Sequence, residues 1–266
     1  MTALFGAFLI AGAAGSAVAV ADDSSYPELR EAMNSGQATG PNRLPEGLPR
    51  EGRITLKAGA YKLLLYPESA YTIGETYYKD SLIATPMGAQ GTVTLTEKGK
   101  ESIRNKDFKG DPWIGTGHGG EIVHSVTCTV DGKQVPLTAE EDISGKKIVI
   151  EKQHTLYKFK GKATITLTPS GIEECQELQA TEEFDGLHYL YFFMHPWVKS
   201  TMQWLAVFCD GTEESGDFEG NQKIHLSKPK YELQPAWFGI YDPTLGIGIL
   251  QFNPQPIPGN SFINVS

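Results

Sequence analysis

The stretch GEIVHSVTCTVDGK, Gly120 to Lys133, decides how the chain is read. In an extended backbone Ile122, His124, Val126, Cys128 and Val130 fall on one face. Glu121, Val123, Ser125, Thr127 and Thr129 fall on the other. The alternation is that of a half-buried strand, and it predicts His124 at a core position beside Val126 and Cys128. Asp131-Gly132 follows at once, and that dipeptide favours the tight turn of a β-hairpin.

The same pattern repeats on both sides. GRITLKAG, YKLLLYP, TYYKDSLIATP and GTVTLTEKG precede this strand. KKIVIEKQHTLYKFKG, KATITLTPSG, EECQELQATEE, LHYLYFFMHPW, MQWLAVFCDG, WFGIYDP and GIGILQF follow it. These segments are rich in β-branched and aromatic residues, and Gly, Pro, Asp and Asn separate them. Pro169-Ser170-Gly171 and the run Asp242 to Gly248 carry the same turn chemistry. The fold class this predicts is all-β: one large antiparallel sandwich of two sheets spanning residues 54–266. Residues 22–53 read as a lead-in and linker. YPELREAMNSG there is a short helix candidate, and GPNRLPEGLPREG is dense in Pro and Gly.

The first 21 residues differ from the rest, since they contain no charged side chain. An apolar run from Leu4 to Ile10 leads into small residues, and both Ala17-Val18-Ala19 and Ala19-Val20-Ala21 fit a small-x-small cleavage site. Residues 1–21 are therefore expected to be a signal peptide. The mature protein is expected to be secreted or periplasmic, with no stable membrane insertion after cleavage. A net charge of −9 argues against nucleic acid and anionic membranes as partners. Oligomeric state has no signature in the text. Cys128, Cys175 and Cys209 lie in strand-like segments without CxxC spacing, and the expectation is buried thiols rather than a zinc site.

Two stretches carry chemistry-bearing side chains. In WIGTGHGGE, glycines 115, 117, 119 and 120 surround His118 and allow close backbone approach to a ligand. His118, Glu121 and His124 resemble a metal spacing, but on a strand the two imidazoles lie ~20 Å apart, so no metal is expected there. In YLYFFMHPWVKS, Tyr189, Tyr191, Phe193, His195 and Trp197 share a face. That face joins apolar area to hydrogen-bonding edges, the mixture that a sugar also presents. The acids Asp210, Glu213, Glu214, Asp217 and Glu219 make calcium the one candidate ion, although their spacing is that of a solvated loop and no cofactor is expected. Residues 97–113 form a charged interruption that contains Arg104 and ends at Trp113.

The segment KATITLTPSGIEECQELQATEEFDGLHYLYFFMHPW resembles the middle of aldose 1-epimerases (galactose mutarotases) and their relatives. His118-Gly119 resembles the upstream His-Gly pair of those proteins, and AWFGIYDPTLGIGILQF is similar to the closing hairpin of the fold. The resemblance implies a β-supersandwich with a carbohydrate site on its concave sheet. It implies His195 as general acid and His118 as a histidine that helps bind the sugar ring. In an enzyme of this kind both histidines would give and take protons, with Tyr191 or Tyr189 assisting. Trp197, Tyr189, Trp113, Arg104 and Lys199 are the companion candidates for substrate binding. LQFNPQPIPGNSFINVS contains no acid where epimerases carry a glutamate base. The expected function is therefore binding or lyase- or epimerase-like processing of a polysaccharide or sugar. The alternative is a non-catalytic carbohydrate-binding or cell-envelope protein.

Overall fold

The computed structural model describes residues 3–9, 41–84, 93–96, 113–183, 187–191, 203–208, 210–217, 223–225, 235–243, 246–252 and 262–264. In chain order the strands begin with β1 (Ala3–Leu9), β2 (Ile54–Ala58), β3 (Tyr61–Tyr66), β4 (Thr72–Tyr78), β5 (Ser81–Ala84), β6 (Val93–Thr96) and β7 (Trp113–Ile114). β8 (Ile122–Val130), β9 (Lys133–Val135), β10 (Ile143–Ser144), β11 (Ile148–Leu156), β12 (Phe159–Thr168) and β13 (Gly171–Ala180) come next. The last are β14 (Leu187–Tyr191), β15 (Gln203–Phe208), β16 (Glu213–Asp217), β17 (Lys223–His225), β18 (Pro235–Asp242), β19 (Ile247–Phe252) and β20 (Phe262–Asn264). Among the described residues there is no α-helix. The protein is an all-β sandwich, as the alternating text predicts.

A ten-stranded sheet runs in the order β16-β15-β18-β19-β1-β13-β12-β11-β8-β9, and a five-stranded sheet in the order β10-β2-β3-β4-β5. The core lies between them. Ile54, Leu56, Leu63, Leu65 and Ile73 of the smaller sheet pack in one buried cluster with Val123, Val126, Ile148, Ile150, Ile165 and Leu167 of the larger. Removing each such side chain from water contributes about 1.5–3 kcal/mol. Most ladders are antiparallel, with parallel pairs where β10 meets β2 and where β1 meets β13 and β19. The Asp131-Gly132 turn joins β8 to β9 as the sequence predicts. Asp131 has a φ of 49° and Gly132 a φ of 83°, both in the left-handed region that such turns require.

Two expectations change. Residues 41–53 lie against the sandwich rather than apart from it. Leu44 and Leu48 pack on the core, Arg43 bridges Ile122, and Tyr71 Oη donates to the Pro49 carbonyl at 2.8 Å. The leucines between these Pro and Gly residues are half-buried against the core. The helix candidate in residues 22–36 lies outside the described residues.

The second change concerns β8. Gln153 pairs with Ser125 and His154 with Val123, so His124 has no opposite number in the β8–β11 ladder. This β-bulge shifts the alternation by one residue. Val123 and Val126 both face inward, and His124 is exposed, with Nε2 2.8 Å from Thr155 Oγ1. His124 is not a core residue, and Glu121 joins the buried side instead.

Candidate functional site

The start of β8 is where buried polar groups concentrate. Leading into it, Gly115 has a φ of 110°, Gly119 of 82° and Gly120 of 76°, so the WIGTGHGG run is a tightly folded turn. Its centre is the 3-10 turn Thr116–His118, which closes with the His118 N–H donating to the Gly115 carbonyl at 2.9 Å. Thr116 is buried with a φ of 47°, a strained conformation for a β-branched residue. Its surroundings fix it there. The Thr116 N–H donates to Glu121 Oε2 at 3.1 Å, and Asn42 Nδ2 donates to the Thr116 carbonyl at 2.5 Å. Asn42 Nδ2 also donates to the Glu68 carbonyl at 2.9 Å, and Asn42 Oδ1 accepts from the Glu121 N–H at 3.0 Å. One asparagine thus ties the His118 turn to the turn Pro67–Ser69 of the other sheet.

Beneath the turn, Glu121 Oε1 lies 2.6 Å from Lys152 Nζ, which also donates to the Ala70 carbonyl at 3.0 Å. His154 Nδ1 stands 2.8 Å from the same Glu121 oxygen. That is ion-pair range, but the ring N–H misses the alignment of a hydrogen bond. On its other side His154 Nε2 is 2.8 Å from Gln176 Nε2. Burial pushes the Glu121 carboxyl up, yet the Lys152 ammonium and the His154 ring outweigh it and hold the group down at about 2. Burial, reinforced by Lys152, pushes the His154 imidazole down and leaves it neutral despite the opposing pull of Glu121. Its Nε2 then accepts from the Gln176 amide.

This arrangement has the parts of an acid–base site but not the access. Exposure is 1% for Glu121, 6% for Lys152 and 2% for His154, so no substrate in solution reaches them. Through the Thr116 N–H and the Ala70 carbonyl, Glu121 and Lys152 brace the turns on either side of them. The signal for them lies in IVIEKQHTL: Lys152 and His154 continue the inward period of Ile148 and Ile150. Sequence reasoning missed it because the segment is otherwise an ordinary strand.

Of the residues expected at a site, His118 is half-buried at the end of the braced turn. Tyr189 and Trp113 are brought together by register. In the three-stranded sheet β14-β6-β7, Tyr189 pairs with Leu95 and Leu95 with Trp113, a single row across the sheet. Tyr191 pairs with Val93 in the same ladder. His195, Trp197, Lys199 and Arg104 lie outside the described residues. Among the described residues no three His, Cys, Asp or Glu side chains are placed to hold a metal ion. Glu213, Glu214 and Asp217 belong to the edge strand β16. Cys128 is buried, with its thiol pushed up to about 11 by desolvation, Cys175 is half-buried, and Cys209 lies outside the described residues.

A second cluster, on the outer face of the five-stranded sheet, was not anticipated. Tyr66 Oη donates to Glu75 Oε1 at 2.5 Å, and Tyr77 Oη donates to Glu75 Oε2. The Arg53 guanidinium lies 3.5 Å over the Tyr66 ring and Lys62 Nζ lies 3.8 Å over Tyr77. The hydrogen bond to Glu75 pushes the Tyr77 phenol up to about 12. Cations already stack on these rings, so the patch satisfies itself. Comparison with protein families, with curated proteins and with solved structures finds no match in any of the three.

Proposed function

We propose that this chain is an exported carbohydrate-binding protein on a galactose mutarotase-like β-supersandwich, with its ligand lying across β14-β6-β7 and against His118. The observation that carries the reading is the row Tyr189–Leu95–Trp113, which continues through Ile114 and Gly115 into the His118 turn. Two aromatic residues at register positions on either side of Leu95 suit the C–H faces of a sugar ligand, and an imidazole suits its hydroxyls. A binding role fits better than turnover, because the described acid–base pair, Glu121 and His154, is sealed. Proton-transfer catalysis by this scaffold would instead draw on His118 with His195 and Tyr191. Trp197, Lys199 and Arg104 would add contacts to the same ligand.

The test titrates neutral and acidic glycans into the protein and follows tryptophan fluorescence, alongside reducing-end and absorbance assays of polysaccharide breakdown. Saturable binding without product release is expected. Trp113→Ala should abolish the response, and His118→Ala should weaken affinity about tenfold, the worth of one well-placed hydrogen bond. Binding that survives both substitutions unchanged, or no binding to any glycan, overturns the proposal. Product release lost in His118→Ala would replace binding by catalysis.

A further inference from the structure

We propose that Glu121 and Lys152 are the precursors of an intramolecular isopeptide cross-link that joins β11 to the start of β8. The proposal is independent of the carbohydrate reading and rests on the arrangement around one carboxyl group.

Amine and carboxyl meet at 2.6 Å, inside a core from which both are almost wholly withdrawn from solvent. Holding two reactants in contact replaces a bimolecular encounter by a unimolecular step. The two carboxyl oxygens have different partners. Oε2 accepts the Thr116 N–H at 3.1 Å, a backbone donor fixed by the strained turn. Oε1 faces Lys152 Nζ and His154 Nδ1 at 2.6 and 2.8 Å. Oε2 is therefore the oxygen that a preorganised donor would stabilise as charge builds on it, and Oε1 is the one placed to receive protons and depart.

The step balances without any outside reagent. A proton shift from Nζ to Oε1 along their contact converts the ion pair into a neutral amine and a carboxylic acid, with no change in net charge. Nζ turns from the oxygen to Cδ and forms the N–C bond, giving a tetrahedral centre whose Oε2 is held by Thr116. Once the ring turns into line with Oε1, His154 Nδ1–H gives its proton to that oxygen as the same nitrogen takes one from the attacking amine. The Cδ–Oε1 bond breaks, and one water leaves. The product amide keeps Oε2 as its carbonyl oxygen on the Thr116 N–H, and its own N–H replaces the ammonium as donor to the Ala70 carbonyl, 3.0 Å away beforehand. The closed core that excludes substrate also excludes the water that would reverse the reaction.

Intact mass of the full chain under denaturing conditions tests this. The expected result is a chain lighter by one water, with fragmentation placing the loss on a branched species that joins the Lys152 peptide to the Glu121 peptide. Lys152→Arg should restore the full mass, and His154→Gln should slow closure after refolding. Dehydration at Asp131-Gly132 also removes one water, but it survives Lys152→Arg and reverts in mild alkali. Full mass in the wild type, or a water loss that fragmentation assigns elsewhere, overturns the proposal. Because the wild-type mass and fragmentation decide it, a Lys152→Arg chain that fails to fold does not blunt the test.

Discussion

Gly161 lies directly opposite His154 in the β11–β12 ladder, and a Cβ on Gly161 would stand 2.2 Å from His154 Nε2. The missing side chain lets the imidazole lie across β12 and reach Gln176 on β13, 2.8 Å from Nε2. Glycine in a strand interior ordinarily weakens it, by about 0.5–1 kcal/mol relative to alanine. Here the close contact reverses that balance. Gly161→Ala should destabilise the protein by roughly 1–3 kcal/mol, the range for overpacking a filled site. Urea denaturation measures it, and a neutral or stabilising effect would show that the ring is not held as described.

Acid should weaken the fold in two stages. The folded state holds Glu121 at about 2 against an ordinary value of 4.5, so between those values the unfolded chain binds the extra proton. The stabilisation is complete above pH 4.5 and is lost as pH falls towards 2. His154 is also held below its ordinary 6.5, so stability begins to fall as pH drops below that point. In the open, uncross-linked chain, denaturation midpoints followed downward from neutral pH should show both stages. His154→Gln should remove the upper one, and an unchanged upper stage in that variant contradicts the assignment. A chain whose Glu121 has closed onto Lys152 should lose the lower stage and keep the upper.

In the open, uncross-linked chain the buried ion pair should behave non-additively. Lys152→Met strands the Glu121 carboxylate, and Glu121→Leu strands the Lys152 ammonium. Each single change should destabilise by about 3–5 kcal/mol. The double variant removes both charges and should be more stable than the sum of the singles by at least 1 kcal/mol or so. Equilibrium unfolding of the four proteins, the wild type taken in its full-mass, uncross-linked form, measures the coupling, and strict additivity would mean that the contact at 2.6 Å carries no energy.

The fold was legible because its signal is local. Alternation in ITLKA, YKLLLY and IVIEKQHTL and the Asp131-Gly132 turn each specify an element without reference to the rest. What stayed hidden depends on partners far along the chain. The bulge opposite His154 exists only when β8 and β11 pair, and it alone turns His124 outward and Glu121 inward. Asn42 looks like part of a Pro- and Gly-rich connector until the turns at Glu68 and Thr116 stand beside it. Of the candidate site, the glycines around His118 announced a tight turn. The row uniting Tyr189 with Trp113 needed the register of β6 between them.

The first strand bears on export and can be tested directly. β1 pairs in parallel with β13 through Gly6–Leu9 and with β19 through Ala3–Ala7, so it joins the two halves of the ten-stranded sheet. Cleavage after Ala19 or Ala21 removes it. The backbone groups of β13 and β19 that face β1 then lose their partners and meet water. Hydrogen exchange should therefore quicken at Ile172–Cys175 and Gly248–Phe252 in a chain beginning at Asp22, relative to the full chain. Exchange in β11 and β12, whose ladders do not involve β1, should stay the same. Equal protection of both segments in the two chains would mean that β13 and β19 find each other, or another strand, once β1 is absent. N-terminal sequencing of the protein recovered from its source decides which of the two chains is present there.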